Sequence, residues 1–457
     1  SGEFSETHPA WSPDGDTIAF LSGTEDRPWM EALNTVYTIA SSGGDPVAAT
    51  PRGNWGWCGY GGDGRLYALG LATDVPTLEL AQVHALDGSG DSEAVTVTDR
   101  HLVTGGTTGS ALNPRIASDG VVLAVAQDTG AEHLTEFSGS DAVVRIGGKR
   151  VVTAFAPVAD GFVFVASHPT SPGEVYRADG DAEEKLTDIN GAFAESAGLV
   201  SPEEFTYESD GHEVHGWVFL PPGEEKVPLL FNIHGGPAAQ YTWGFFDEFQ
   251  TYVGAGYGVV AVNPRGSSGR GQVWVDTPIG EWGKDEPADQ MDLMRVADEA
   301  LAQFDRLDGD RLGIMGGSYG GLSTVMITSM DQRYRSAVAE RGVYNWLSMA
   351  GTSDIPFFIP LYLDTEMPHG ALDLWASSPL ARAHAIETPT LIIHSEHDFR
   401  CPVEQGQQLF TLLKTKGVDT EFLLFPPGEG HELSRSGTPK HRKERFEAIL
   451  EWHEAHL

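Results

Sequence analysis

Through residue 198 the apolar positions fall in short runs cut by Gly, Asp, Pro and Ser, and almost no window repeats at helical spacing. Such a pattern predicts an all-β half. Its clearest unit is His8-Pro9-Ala10-Trp11-Ser12-Pro13-Asp14-Gly15, followed by the apolar run Thr17-Ile18-Ala19-Phe20-Leu21. Proline sets φ, Asp-Gly tolerates a tight reversal, and a strand follows. The same turn-then-strand order returns at Asp63-Gly64, Asp119-Gly120 and Asp160-Gly161, at spacings of 49, 56 and 41 residues. A period of that size is expected of propeller blades, whose faces are buried by stacking on neighbours. A β-sandwich with coincidental Asp-Gly turns is the alternative.

From residue 199 the pattern changes to apolar strands alternating with amphipathic stretches, the order that builds a mostly parallel, doubly wound sheet. Strands are predicted at 214–220, 229–234, 258–262, 311–315, 336–339, 390–394 and 421–425. Helices are predicted at 287–304, 321–330, 403–415 and 439–456. The helix at 287–304 opens on Pro287, carries acids in its first turns and then sets Met291, Leu293, Met294, Val296 and Leu301 at helical positions. The expected division is a β domain at 1–198 and an α/β domain at 199–457.

Charge narrows the function classes. Asp and Glu number 66 against 29 Lys and Arg, a formal net charge of −37. A surface of that sign repels polyanions, so nucleic-acid binding is excluded as the main task. The excess is shared, −18 over residues 1–200 and −19 over 201–457, and only eight of the cations are lysines. It reads as an adaptation to high salt, where screening removes self-repulsion; an ordinary acidic cytoplasmic protein is the alternative. Cys58 and Cys401 make neither a disulfide framework nor a zinc-ligand spacing. Apolar runs such as 227–233 and 256–262 fall short of the roughly 18 residues a membrane helix needs. Residues 1–6 show no basic-then-apolar leader. The expectation is a soluble, cytoplasmic protein without a membrane partner.

Chemistry concentrates in the second half. Arg311-Leu312-Gly313-Ile314-Met315-Gly316-Gly317-Ser318-Tyr319-Gly320-Gly321 fits a strand, a Gly-x-Ser-x-Gly turn and a helix, with Ser318 at the tip. Glycines flank it because the reversal is too sharp for side chains. The N–H of Tyr319, at the start of the helix, would face a developing oxyanion. A serine hydroxyl needs a base, and the base needs a carboxylate, in the order Ser, Asp, His. Asp398 follows the strand at 390–394, and His431 follows the strand at 421–425. Glu396, His397, Glu429 and His394 are the rivals. Of these, His394 reads as a packed core histidine, and Glu396 and Glu429 as loop or helix-cap acids. The turn Ile233-His234-Gly235-Gly236-Pro237 supplies a second oxyanion donor, assigned to the N–H of Gly236.

These residues carry a resemblance. Residues 199–457 resemble the catalytic domain of the prolyl oligopeptidase family of serine peptidases, most of all its acylaminoacyl-peptidase branch. The matching stretches are Asp210-Gly211, His234-Gly235-Gly236-Pro237, Asn263-Pro264-Arg265-Gly266-Ser267-Ser268-Gly269, Trp282-Gly283 with Asp289, and Gly316 to Gly321. Asn345-Trp346 with Gly351-Thr352-Ser353-Asp354-Ile355, His397-Asp398 with Arg400-Cys401-Pro402, and Gly430-His431 complete the set. The resemblance implies an α/β-hydrolase fold, a triad of Ser318, Asp398 and His431, backbone donors at Tyr319 and Gly236, and no metal or cofactor.

The first half is similar to that family's β-propeller, but about four blade units fit where the family has seven or more. The propeller is therefore expected to be reduced or truncated, and its size gate is in doubt. A homo-oligomer, dimer or ring, could close it. The implied activity is release of N-terminal, N-acylated residues from short peptides. A carboxylesterase, a dipeptidyl peptidase and a non-catalytic propeller protein are the alternatives. The dipeptidyl branch needs a glutamate pair in the propeller, and Glu183-Glu184 is the one such pair there, in an acidic stretch that reads as a solvated turn. Phe245, Phe246, Trp346, Phe357 and Phe358 are candidate linings of an apolar pocket for the substrate side chain.

Overall fold

The Asp-Gly turns set the first level of structure. In the computed structural model, which describes residues 6–23, 33–87, 91–104, 112–180 and 182–457, each turn joins two neighbouring strands of an antiparallel meander. Gly15, Gly64, Gly120 and Gly161 take φ of 78°, 82°, 85° and 135°, where a Cβ would be strained. At the first three turns the aspartate closes the reversal. Oδ1 of Asp14, Asp63 and Asp119 accepts from the N–H two residues on, at 3.0, 3.1 and 3.2 Å.

The first meander is Glu6–Trp11, Thr17–Ser22, Thr35–Ala40 and Val47–Ala48, and the second is Gly53–Tyr60, Leu66–Ala72, Gln82–Leu86 and Ser92–Ala94. In the third, Arg115–Ile116 pairs with Val122 and Leu123 at the start of Val122–Asp128 and Leu102–Val103 with Val125 and Ala126 further along it, and Ala131–Ser138 and Asp141–Ile146 follow. The fourth is Val151–Val158, Gly161–His168, Ser171–Asp179 and Ala182–Lys185, and a parallel pairing of Glu132 with Val151 joins it to the third.

Side chains alternate along each strand, and the two faces of a meander serve different cores. Leu66 and Ala68 join Ala19, Leu21 and Val36 of the first meander. Tyr67 and Leu69 join Val122, Ala124 and Phe137 of the third. Leu123 and Val125 in turn join Val152, Phe155 and Phe164 of the fourth. Each core thus lies between successive meanders. The last strand, Ala182–Lys185, is exposed throughout and charged, as suits an unpaired edge. Among the described residues of this half, the helix Gly191–Ala197 departs from the all-β expectation and buries none of its residues.

By its internal contacts the chain divides into Ser1–Ala194 with Thr242–Phe245 and Ser268–Val273, and Glu195–Tyr241 with Phe246–Ser267 and Trp274–Leu457. The second unit holds one eight-stranded sheet. Numbered within it, the strands are β1 (Glu203–Ser209), β2 (His212–Phe219), β3 (Val227–Ile233), β4 (Gly258–Asn263), β5 (Leu307–Gly317), β6 (Ser336–Glu340), β7 (Thr390–Ser395) and β8 (Thr420–Phe425). Their spatial order is β1-β2-β4-β3-β5-β6-β7-β8. The β1–β2 and β2–β4 pairs are antiparallel, and all the other pairs are parallel. Every residue of β4 is buried, the reason it reads as an unbroken apolar run.

Register aligns the carboxyl ends: Gly317 pairs with Glu340, and Glu340 with Ile393. The loops after β5, β6, β7 and β8 therefore emerge side by side, where α/β sheets carry their chemistry. The helices Ala288–Gln303, Tyr319–Met330, Glu404–Lys416 and Pro439–His456 lie close to their predicted places. Helices of four to eight residues, such as Asp247–Gly254, Trp346–Thr352 and Pro379–Arg382, have too few turns to show a period. Among the described residues no helix is long and apolar enough to cross a membrane.

Candidate active site

β5 runs to Gly317, and the helix Tyr319–Met330 starts one residue later. Ser318, between them, has φ 62° and ψ −120°, a conformation that costs a serine about 1–3 kcal/mol. Its neighbours hold it there. Ser318 N–H donates to Glu340 O at 3.1 Å, and Leu322 N–H to Ser318 O at 3.0 Å. A Cβ on Gly320 would stand 2.1 Å from Ile233 O, and one on Gly316 2.6 Å from Gly320 C. The strand, the elbow and the helix therefore pack at a spacing only glycine permits.

The elbow rests on two buried polar clusters. The Tyr319 hydroxyl donates to Asp289 Oδ2 at 2.7 Å, and Trp282 Nε1 and Gln290 Nε2 donate to the same oxygen at 3.0 Å. Burial pushes the Asp289 carboxyl above its ordinary range against those three hydrogen bonds. On the other side, Arg445 Nε and Nη2 donate to the Glu340 carboxylate at 2.6 Å each, and Nη2 also reaches Glu248 Oε1 at 3.0 Å. Anchored through its hydroxyl, Tyr319 leaves its backbone N–H at the helix N-terminus, where the helix dipole favours negative charge.

The turn after β3 passes against the nucleophile position. A Cβ on Gly235 would lie 3.3 Å from Ser318 Cβ and 3.9 Å from its Oγ, and Gly236 takes φ 128°. His234 fixes the turn from beneath. Its Nδ1 donates to Gly235 O at 2.6 Å and its Nε2 accepts from Ser267 Oγ at 3.0 Å, while burial pushes its pKa down to about 4 and keeps it neutral.

After β7, Asp398 is 2% exposed. Its Oδ1 accepts the N–H groups of Arg400 and Cys401 at 3.0 and 2.9 Å, and its Oδ2 accepts His431 Nδ1–H at 2.8 Å. That bond fixes the tautomer of His431 and frees Nε2 to act as a base. Cys401, which donates its N–H to Asp398 in this loop, is itself buried, and burial raises the pKa of its thiol.

The rival residues are otherwise engaged. Glu396 is exposed. His397 is exposed too, and it stacks on Phe399 and accepts Gly428 N–H at 3.2 Å. Glu429 accepts from Thr438 N–H at 3.1 Å and from His441 Nδ1 at 2.6 Å at the start of the last helix. His394 is buried, donating from Nε2 to Cys401 O at 2.6 Å with Asp398 Oδ2 3.6 Å away.

The candidate pocket aromatics separate. Trp346 and Phe358 join a stack with Trp282 and Tyr362, whose outer ring is Tyr319. Phe246 packs with Tyr241 and Phe249 instead, Phe245 groups with the first unit, and Phe357 is half-buried. Glu183 is held by Arg150 through two bonds of 2.7 Å, on a strand rather than the predicted turn; Asp181 lies outside the described residues. Sequence reasoning missed two neighbours of the elbow. Asp289 was read only as part of a motif, and Arg341 carried no signal, because its positive φ of 36° is invisible in a sequence.

Residues 243–457 match the model of the prolyl oligopeptidase family. An uncharacterized peptidase, YuxL, of Bacillus subtilis is 40% identical over 320 residues, covering 68% of this chain and 48% of the relative. Dipeptidyl-peptidase 5 of Trichophyton tonsurans is 27% identical over 492 residues, covering 96% of this chain and 63% of the relative. The solved acylaminoacyl peptidase of Pyrococcus horikoshii superposes with a TM-score of 0.86 at 25% identity, over 100% of this chain and 70% of that one. The chain thus spans about half to two thirds of the length of these curated relatives.

Proposed function

Because the chain belongs to the prolyl oligopeptidase family, we propose that it is a serine peptidase that releases N-terminal, N-acylated residues from short peptides through an acyl-enzyme. Ser318 Oγ attacks the scissile carbonyl as His431 Nε2 takes its proton. The N–H groups of Tyr319 and Gly236 stabilise the oxyanion, and Asp398 stabilises the imidazolium. His431 then protonates the leaving amine, and in the second half it activates the water that cleaves the ester.

The observation that carries this reading is Ser318 held at φ 62° on a helix N-terminus beside the Gly235 turn, with an Asp398–His431 pair formed at 2.8 Å. In this reading residues 199–457 carry the chemistry, residues 1–198 form a separate β domain, and the protein works in the cytoplasm at high salt. The acylated substrate is favoured over a free dipeptidyl amine because Glu183, half of the one glutamate pair in the first half, is already engaged by Arg150. A carboxylesterase would use the same groups.

The test is hydrolysis, in molar and in dilute salt, of an N-acetyl-aminoacyl anilide, its free-amine form, a dipeptidyl anilide and a nitrophenyl ester. Turnover of the acetylated anilide should fall by at least about 10⁴-fold in Ser318→Ala. Cleavage of the dipeptidyl anilide alone, or of the ester alone, reassigns the substrate. Absence of Ser318-dependent turnover, with no fluorophosphonate labelling of folded protein, leaves a binding protein. Full activity and folding in dilute buffer would remove the salt adaptation.

A further inference from the structure

Arg341 takes no part in the mechanism above, yet it sits among the groups that do. It follows β6 directly, between the elbow after β5 and the Asp398 loop after β7, and its N–H donates to Ile393 O at 2.8 Å. Its φ of 36° lies where residues other than glycine are rarely found, so the surrounding structure must impose it.

A long cationic side chain leaving a strand end ordinarily extends its head into water. This one turns inward. Its guanidinium packs on Gly317, where a Cβ would stand 2.9 Å from both Cζ and Nη2, so glycine at the position before Ser318 is what admits it. Nη2 donates to Ser434 Oγ at 3.1 Å. Ser434 is 4% exposed and lies on the short helix Leu433–Ser436, which begins two residues after His431. Nε and Nη1 are buried and donate to no described residue. A guanidinium has five donors, and burying it with so few satisfied is unfavourable unless the position itself matters. Its field also reaches the histidine turn. Burial raises the Glu432 carboxyl, but Arg435 and Arg341, with His431, draw it below its ordinary range.

The side chain therefore spans from the residue before the nucleophile to the helix after the base. We infer that Arg341 is a positioning residue that braces the His431 segment against the nucleophile elbow, holding the imidazole in line with the Ser318 hydroxyl. This rests on the reading of Ser318 and His431 as nucleophile and base. Asp398 orients the imidazole from its Nδ1 side, and Arg341 fixes how far the segment carrying it stands from Gly317.

The test measures kcat, KM and melting temperature, on whichever anilide or ester the wild type turns over, for Arg341→Met, Arg341→Lys, Ser434→Ala and the Arg341→Met/Ser434→Ala pair. Arg341→Met should lower kcat about 30- to 100-fold with KM within about twofold, since a misplacement of about 1 Å costs on the order of 10²-fold. Arg341→Lys should recover part of that loss. Ser434→Ala should lose about three- to tenfold, and the double variant should be no worse than Arg341→Met, because both remove one brace. In a His431→Ala background Arg341→Met should leave the residual rate unchanged, which distinguishes bracing the base from general structural support.

A kcat within about twofold of wild type in both Arg341→Met and Ser434→Ala, or a loss of activity that only tracks a loss of folded protein, overturns the inference. Should Arg341→Met not fold, Ser434→Ala decides alone. Absence of Ser318-dependent turnover in the wild type is a separate result, because it is read with Arg341 intact; it overturns the functional reading and this inference together.

Discussion

In the β unit an apolar residue is one of many with the same task. Phe164 does for the third core what Trp55 does for the first, and the Asp-Gly turn is used four times in the same place. In the α/β unit the informative residues have no substitute. Ser318 and Arg341 hold positive φ in adjoining loops, and one carboxylate, Asp398, receives two N–H groups and an imidazole. Glycine relieves the four Asp-Gly turns of the first unit, whereas Ser318 and Arg341 carry their strain themselves and the packing maintains it. A fold built by repetition spreads its energetics thinly, and a catalytic fold concentrates them.

The sharpest way to break this contrast is to exchange the losses. Asp398→Asn should lower kcat/KM by about 10⁴-fold with the melting temperature unchanged, because the amide favours the wrong imidazole tautomer. Phe164→Ala should leave kcat near wild type where the protein is folded and cost the β unit about 3–5 kcal/mol in a denaturant titration. A large fall in kcat for folded Phe164→Ala would mean that the two regions are not separable in function.

Acid should come next. Burial pushes His453 from 6.5 down to about 3 and His234 down to about 4, so both are neutral in the folded α/β unit at neutral pH. The unfolded chain takes up protons below 6.5 and the folded one does not, so stability falls as pH drops from about 6.5 towards 4. The slope approaches about 1.4 kcal/mol per pH unit for each group. His84, His101 and His168 of the β unit are displaced the same way by burial. Unfolding midpoints between pH 7 and 4.5 should fall less steeply in His453→Gln; an unchanged slope would remove His453 from the account.

The smallest effect tests repetition itself. Asp63→Ala deletes the acceptor for Arg65 N–H and for the Tyr67 hydroxyl, and should cost about 0.5–1.5 kcal/mol, with activity intact. A loss several times larger, measured by the same denaturant titration, would mean that one turn dominates the stack.

What was legible in the sequence was local. The Asp-Gly turns, the glycines about Ser318 and the loops ending in Asp398 and His431 are short motifs whose residue types are dictated within a few positions of the chain. What was hidden is long-range. Arg445 meets Glu340 and Glu248 across 105 and 197 residues, and no spacing predicts such a partner. The stack of Trp282, Trp346, Phe358 and Tyr362 gathers rings from three separate segments, and the helices that carry most of them are too short for a period to emerge. The acids at Glu183 and Glu184 hid a strand, because an edge strand needs no apolar alternation to be paired on its inner side.

The placing of every β core between two successive meanders has a consequence for how such a chain can change length. The second and third meanders each face two cores, so losing either one forfeits two junctions at once. A change in length that keeps the cores whole should then come in complete steps of 41 to 56 residues, the spacing between turns, because part of a meander would leave one face bare. The length of the β unit is then counted in meanders rather than in residues.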